Sequence, residues 1–473
     1  MSTTTHIEYA IPERIDRLPL SRETWRIMLL AGIAWLIESY DIGIMGNVLP
    51  LLEKQYQLNS FTVGMLATVS TLGIVLAIIP AGWLADRIGR KKILVIGTAW
   101  YAFFSLICGL APTIPLLIVC RLIAGLGMGA VFPIPYAMAA ELTSKRIRGS
   151  MTSVLDSFLS FGYFLAPLLA LLLIPQLPEQ WGWRVLFYIG GLPLLYVPVL
   201  VKWMPESPRW LTVKGRAEEA NWIVSQLEQQ IESRTGLLLP PPENSGGQPA
   251  STTSKVSLGI FSRAYFKRTM MMCISFACIL FIFYAIQTYT PTVLLKEGYG
   301  ISNAFLLTTI IVVASIPGKY AAAYAIERFG RKFTLISFTS IAAVSALFFG
   351  FAHNGALALS CGCVLSFFGI GVDPVIKIYG AEQYPTHMRE LGIGVFEGVG
   401  RLFGGVLAPF IMAFLLASFD VAGSYVFVAV IAVIGVCVVS WLGTETRGEV
   451  LEKAANVADS SILQQSISDS HTF

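Results

Sequence analysis

Charge is scarce in this sequence. Only 13% of its 473 residues are Asp, Glu, Lys or Arg, about half the 25% of a typical soluble domain. The net charge of +4 gives no sign of a nucleic-acid partner. Histidine is almost missing: His6 and His471 lie at the termini, and His353 and His387 lie beside the ends of apolar segments. No His relay within a membrane is therefore available. The seven cysteines (Cys108, Cys120, Cys273, Cys278, Cys361, Cys363 and Cys437) all fall inside apolar stretches without metal-ligand company. They read as small apolar core residues rather than as disulfides or a zinc site. No nucleophile–base set occurs, so neither an enzyme nor a cofactor nor a metal is expected. The first 25 residues lack the charged n-region, apolar h-region and cleavage site of a signal peptide, so the first apolar segment is expected to be an uncleaved anchor.

What the chain does have is apolar length. It is 55% hydrophobic, with a mean hydropathy of +0.68. A helix crossing roughly 30 Å of hydrocarbon needs about 20 residues. On that measure the sequence predicts an all-α membrane protein with twelve transmembrane helices: 26–52, 60–84, 92–111, 113–140, 149–174, 184–204, 269–295, 301–326, 332–352, 354–381, 390–417 and 420–442. The domain reading is an N-terminal segment 1–25, a six-helix half 26–204, a central loop 205–268, a second six-helix half 269–442 and a tail 443–473. The loop is charged and then Pro/Ser/Gly-rich ("PPPENSGGQPASTTSK"), a composition that suits a helical patch followed by a linker. Arg14, Arg17, Arg22, Arg87, Arg90–Lys92, Lys145, Arg146, Arg148, Arg328, Arg331, Lys332 and Arg389 collect on one face; only Lys54, Arg184 and Lys296 fall on the other. Both termini and the central loop are thus expected in the cytoplasm.

The two halves repeat. Asp86-Arg87-x-Gly89-Arg90-Lys91 recurs as Glu327-Arg328-x-Gly330-Arg331-Lys332, an offset of 241 (327 − 86). The same offset relates Pro50 to Pro291, Pro133 to Pro374, Glu141 to Glu382, Arg148 to Arg389 and Asp156 to Glu397. Two pseudo-symmetric six-span halves are the signature of transporters that alternate about a midplane site.

"GWLADRIGRKK" (82–92) resembles the loop between spans 2 and 3 of the major facilitator superfamily. "PESPRWLTVKGRAEEA" (205–220), Glu141 with Arg148, "EQYPTHMRELG" (382–392) and "ETRGEVLE" (445–452) resemble its sugar porters and organic cation/anion transporters, including bacterial metabolite:proton symporters. The resemblance covers nearly the whole chain. It implies the major facilitator fold and a set of gating charges: Asp86, Arg90, Glu141, Arg148, Glu206, Arg209, Glu327, Arg331, Glu382 and Arg389. The same residues could serve only to fix topology and satisfy helix ends. The loop after span 1 is short here (roughly 53–59), unlike the large ectodomain of animal organic-ion transporters.

Nine charges fall at membrane depth: Glu38, Asp41, Arg121, Asp156, Lys319, Asp373, Lys377, Glu397 and Arg401. Each is costly unless paired or wetted, which implies a polar interior. Asp41 stands about 11 residues from one end of span 1 and Arg121 about 8 from the same end of span 4, a depth mismatch of roughly 5 Å at 1.5 Å per residue. "YD" and "CRLIAGLGMG" resemble the proton-coupling elements of sugar porters, which implies that Asp41 titrates and Arg121 tunes it; the alternative is a static salt bridge. Glu38 shares the face of Asp41 and is either a second titrating group or a gate residue. The sugar resemblance stops at the binding positions, where Asp156, Lys377 and Cys278-Ile279 replace the expected Gln, Trp and Gln-Gln. Asp373/Lys377 and Glu397/Arg401 are i, i+4 pairs that either neutralise themselves or free Lys377 and Arg401 to hold an anion. Tyr136, Phe161, Tyr163, Phe283, Tyr284, Tyr289 and Phe396 offer aromatic walls, with Tyr284 and Tyr289 the expected ligand contacts.

The sequence therefore reads as a proton-coupled symporter of a small charged organic metabolite, expected to be a carboxylate such as an aromatic or nicotinate-like acid. Its partners are that ion, protons and the bilayer of an inner membrane, and it is expected to be monomeric. The rivals are a proton-driven exporter, a carrier of cations or zwitterions, and a non-transporting membrane sensor.

Overall fold

A backbone inside a bilayer has no water to satisfy its polar groups, so only helices or closed barrels can cross. The computed structural model describes residues 11–236, 238–242, 258–262, 265–384 and 388–447, and no strand occurs among the described residues. Among the described residues, twelve helices are long and apolar enough to cross a membrane: Arg22–Tyr56, Ser60–Ile88, Arg90–Leu110, Ile114–Leu142, Val154–Gln176, Glu179–Trp203, Phe266–Lys296, Ile301–Phe329, Arg331–Gly350, Gly355–Glu382, Leu391–Ser418 and Val421–Leu442. They are spans 1 to 12 below. Span 1 has 35 residues, about 50 Å at 1.5 Å per residue, and so exceeds the hydrocarbon thickness.

Several spans expected to be continuous are interrupted. Span 4 breaks between Val131 and Ile134, at Pro133. Span 10 breaks between Gly369 and Asp373, next to Pro374. These are the two prolines related by the 241-residue offset, and each lacks the N–H that would continue the ladder. Span 6 tightens to a 3-10 turn at Leu192–Leu195, around Pro193. Span 11 widens to a π-helix over Arg401–Leu407.

The chain forms two compact units. One combines residues up to Ile42, Gly73–Gly162 and the segment from Arg184 into the central loop; the other combines Gly43–Leu72, Tyr163–Trp183 and the spans from Phe266 onward. The boundary runs through spans 1, 2 and 5 rather than through the central loop alone. Within the second unit, span 1 meets span 7 at Gly46, where an added Cβ would lie 2.5 Å from the Gln287 carbonyl oxygen. Gly404 of span 11 is equally close to the Ala277 carbonyl of span 7. Small residues permit this backbone approach.

In the first unit the N-terminal segment is docked. Ile11 and Ile15 of the helix Ile11–Asp16 pack on Trp210, Leu211, Ala220 and Val224. Arg14 and Arg17 converge on Glu228 of the helix Ala217–Thr235, at 2.5 and 2.6 Å. Burial pushes the Glu228 carboxyl up, but the two guanidinium groups outweigh it and hold the group below its ordinary range. This contact is therefore intact at neutral pH and weakens only as pH falls through that lowered value.

Candidate functional site

Asp41 and Arg121 meet in the first unit. Arg121 Nη1 lies 2.6 Å from Asp41 Oδ2 and Nη2 donates to the Asp41 carbonyl at 3.1 Å. Both side chains are fully buried. Ser105 of span 3 donates to Asp41 Oδ1 at 2.5 Å, and Arg121 faces the Phe187 ring at 5.4 Å. A buried ion pair is tolerable only when its lone pairs and protons are matched in this way. Ser105 has no sequence signature: a serine in an apolar run is unremarkable until a carboxylate faces it. Glu38, one turn from Asp41 and also fully buried, lies within electrostatic reach of the Tyr101 hydroxyl of span 3.

A second polar group in this unit joins spans 1, 4 and 5. Tyr136 donates to Asp156 Oδ1 at 3.1 Å. Its ring meets Trp35 edge-on at 4.3 Å, and Trp35 donates to the Phe132 carbonyl freed by the break in span 4. Trp35 was not among the residues expected from sequence.

The second unit carries the remaining intramembrane charges. Lys377 Nζ is 2.7 Å from Asp373, a closed i, i+4 pair. Arg401 lies 3.5 Å from Glu397, a looser one. Arg401 begins the π-helical turn, is 8% exposed, and has Tyr163, Tyr284 and Asp373 among its electrostatic neighbours. Tyr163 stacks edge-on against Phe283 and Phe283 against Tyr284, each at 5.1 Å. Tyr284 meets the Thr71 hydroxyl at 3.4 Å. Tyr289 is buried and its hydroxyl donates to the Pro409 carbonyl. Of the remaining aromatics, Phe396 packs on Phe276 and Phe161 is 46% exposed. Two amides missed in the sequence stand out: Asn47 Oδ1 and Gln287 Oε1 are buried without a hydrogen-bond partner among the described residues.

The loop-end charges form the same construction in each unit. Arg90 contacts Asp86 and lies 3.4 Å from Glu141. Arg331 bonds Glu382 at 3.0 Å and reaches Glu327 at 4.0 Å. Glu206 accepts the Lys91 amide at 3.1 Å, while Glu445 accepts the Arg331 and Lys332 amides at 2.8 and 3.1 Å. Each carboxylate thus caps the helix that starts after a glycine with positive φ, Gly89 at 114° or Gly330 at 96°. Glu445 was not singled out from sequence, although its motif was; it follows the last span of its half as Glu206 does. Arg209 and Arg389 are described, whereas the Arg148 side chain and residues 448–452 lie outside the described ones.

The family model of the Major Facilitator Superfamily matches residues 31–402 and 306–469. The chain belongs to the Major Facilitator Superfamily. It is a multi-pass membrane transporter, not an enzyme. This facilitator is 33% identical to the niacin transporter NiaP of Acinetobacter baylyi over 93% of the chain and 98% of that protein. It is 25% identical to the benzoate transport protein of Acinetobacter baylyi, over 98% and 99%. It is 27% identical to the 4-hydroxybenzoate transporter PcaK of Pseudomonas putida, over 85% and 88%. Among solved structures, the xylose transporter XylE from E. coli in a partially occluded inward-open conformation shares the fold. Its TM-score is 0.73 at 18% identity, over 91% of this chain and all of that one.

Proposed function

We propose that this facilitator is a proton-coupled symporter that imports a small aromatic carboxylate by alternating access, with both termini in the cytoplasm. The observation that carries the substrate class is Arg401: a buried guanidinium in the membrane interior, 3.5 Å from Glu397, with tyrosines among its neighbours. Niacin, benzoate and 4-hydroxybenzoate, named for the relatives, all join one ring to one carboxylate. Arg401 suits the carboxylate, because a guanidinium forks both oxygens. Tyr284 suits the ring, and Lys377, Asp373 and Glu397 balance the local field.

Proton coupling is assigned to Asp41 and Arg121. A carboxylate beside a guanidinium stays ionised, and one left in apolar surroundings takes up a proton. A conformational cycle that separates the pair would therefore load and unload a proton. The loop-end networks around Arg90 and Arg331 are assigned to gating, because they join helix ends that must part in such a cycle.

Equilibrium binding to the purified protein tests the charge preference. Nicotinate and nicotinamide share a ring and differ in charge. Charged hydrogen bonds contribute about 1.5–3 kcal/mol, so nicotinate is expected to bind roughly tenfold tighter or more. Equal affinity, or tighter binding of the amide, would reject an anion site.

A further inference from the structure

A cavity lies in the unit that holds Arg401, at the ends of spans 1, 2, 7 and 11 that the proposed topology turns outward. Its volume is about 170 Å³, and its wall includes Glu53, Asn59, Tyr289, Thr292, Lys296 and Ala413. Liquid water occupies about 30 Å³ per molecule, so the space holds one single-ring acid.

Thr292 marks it as more than a packing gap. Several span threonines return their hydroxyl to the carbonyl four residues back: Thr68 of span 2, Thr290 of span 7 and Thr308 and Thr309 of span 8 all do so. Thr292 is 4% exposed, yet its Oγ1 has no hydrogen-bond partner among the described residues. Leaving a buried hydroxyl unsatisfied is costly and is usually explained by a missing partner. Lys296 spends one N–H on the Leu416 carbonyl at 2.7 Å and keeps two more. Asn59 uses its oxygen on the Thr62 amide, which leaves its NH₂. Glu53 and Lys296 bring opposite charges to one cavity and make no ion pair with each other.

We infer that the outer cavity is a capture site for an aromatic acid that also bears a hydrogen-bond donor. Thr292, Lys296 and the Asn59 amide receive the carboxylate, and Glu53 receives a ring N–H or hydroxyl. This inference rests on the organic-acid reading above.

The test uses 4-hydroxybenzoate, an aromatic acid that carries a hydroxyl donor, as probe on the full-length protein: initial uptake rates in proteoliposomes and equilibrium titration in detergent. Thr292→Val keeps the side-chain shape and removes only the orphan hydroxyl. It is expected to hold or raise the melting temperature, to leave kcat unchanged and to raise KM about fivefold, the worth of one hydrogen bond. Lys296→Gln is expected to raise KM further, and both variants to lose the weaker of two binding events seen in the wild type. An unchanged KM in Thr292→Val, or a single binding event in the wild type, would overturn the capture site while leaving the transport reading intact. A wild type that neither binds nor carries 4-hydroxybenzoate or nicotinate would reject the organic-acid reading itself, and the capture site with it.

Discussion

In proteoliposomes, Asp41→Asn is expected to abolish gradient-driven accumulation of nicotinate while substrate exchange across the membrane continues largely as in the wild type. Asparagine keeps the shape of the side chain and an oxygen able to accept from Ser105, now 2.5 Å away. It cannot exchange a proton. Net accumulation requires the empty carrier to return after releasing its proton, whereas exchange needs only the loaded carrier to move. The substitution also leaves Arg121 buried without its counter-charge, 2.6 Å from where Oδ2 stood. Removing one partner of a buried pair costs about 3–5 kcal/mol, so a lowered melting temperature should accompany the effect. A variant with wild-type accumulation would make Asp41 a structural residue.

Arg401→Ala is expected to weaken nicotinate binding by roughly 10- to 100-fold, the range for a charge-assisted hydrogen bond. Glu397→Ala should weaken it less, or strengthen it. The geometry separates this pair from its neighbour. Lys377 and Asp373, at 2.7 Å, are mutually satisfied. Arg401 and Glu397, at 3.5 Å, stand at the edge of hydrogen-bonding distance, so a ligand carboxylate competes with a longer contact there than at Lys377. Arg401 also begins a π-helical turn, a form of helix found mostly at functional sites because its backbone geometry is otherwise disfavoured. The reverse ranking, with Glu397→Ala the more damaging, would point to a cationic substrate.

The fold was legible because its determinants are long-range averages. Twenty-residue apolar windows survive local errors, and the 241-residue offset links prolines, glycines and charges whose roles are backbone-level. The Asp41–Arg121 contact was legible from depth arithmetic along two helices. What escaped were features set by the partner rather than by the residue. Ser105 and Trp35 look like ordinary span residues until Asp41 and the Phe132 carbonyl face them. The π-turn at Arg401–Leu407 leaves no mark on an apolar, glycine-bearing run. Gln287 and Asn47 were passed over because a neutral amide carries no charge to count. Tyr289, expected against a ligand, has its hydroxyl on the Pro409 carbonyl and its side chain in the wall of the outer cavity; a tyrosine in a span leaves packing and binding alike open until its partners are known. The N-terminal residues, read as a plain polar segment, dock through Ile11 and Ile15; two isoleucines four apart are too short a pattern to predict a helix face.

The central claim, that a proton gradient drives organic-acid uptake, meets its most direct test in purified protein reconstituted into liposomes with an acid exterior. Labelled nicotinate should accumulate above its equilibrium level, well beyond protein-free liposomes, and drain out when a protonophore collapses the gradient. Protein-dependent uptake that proceeds at the same rate and to the same level with or without the gradient would contradict it.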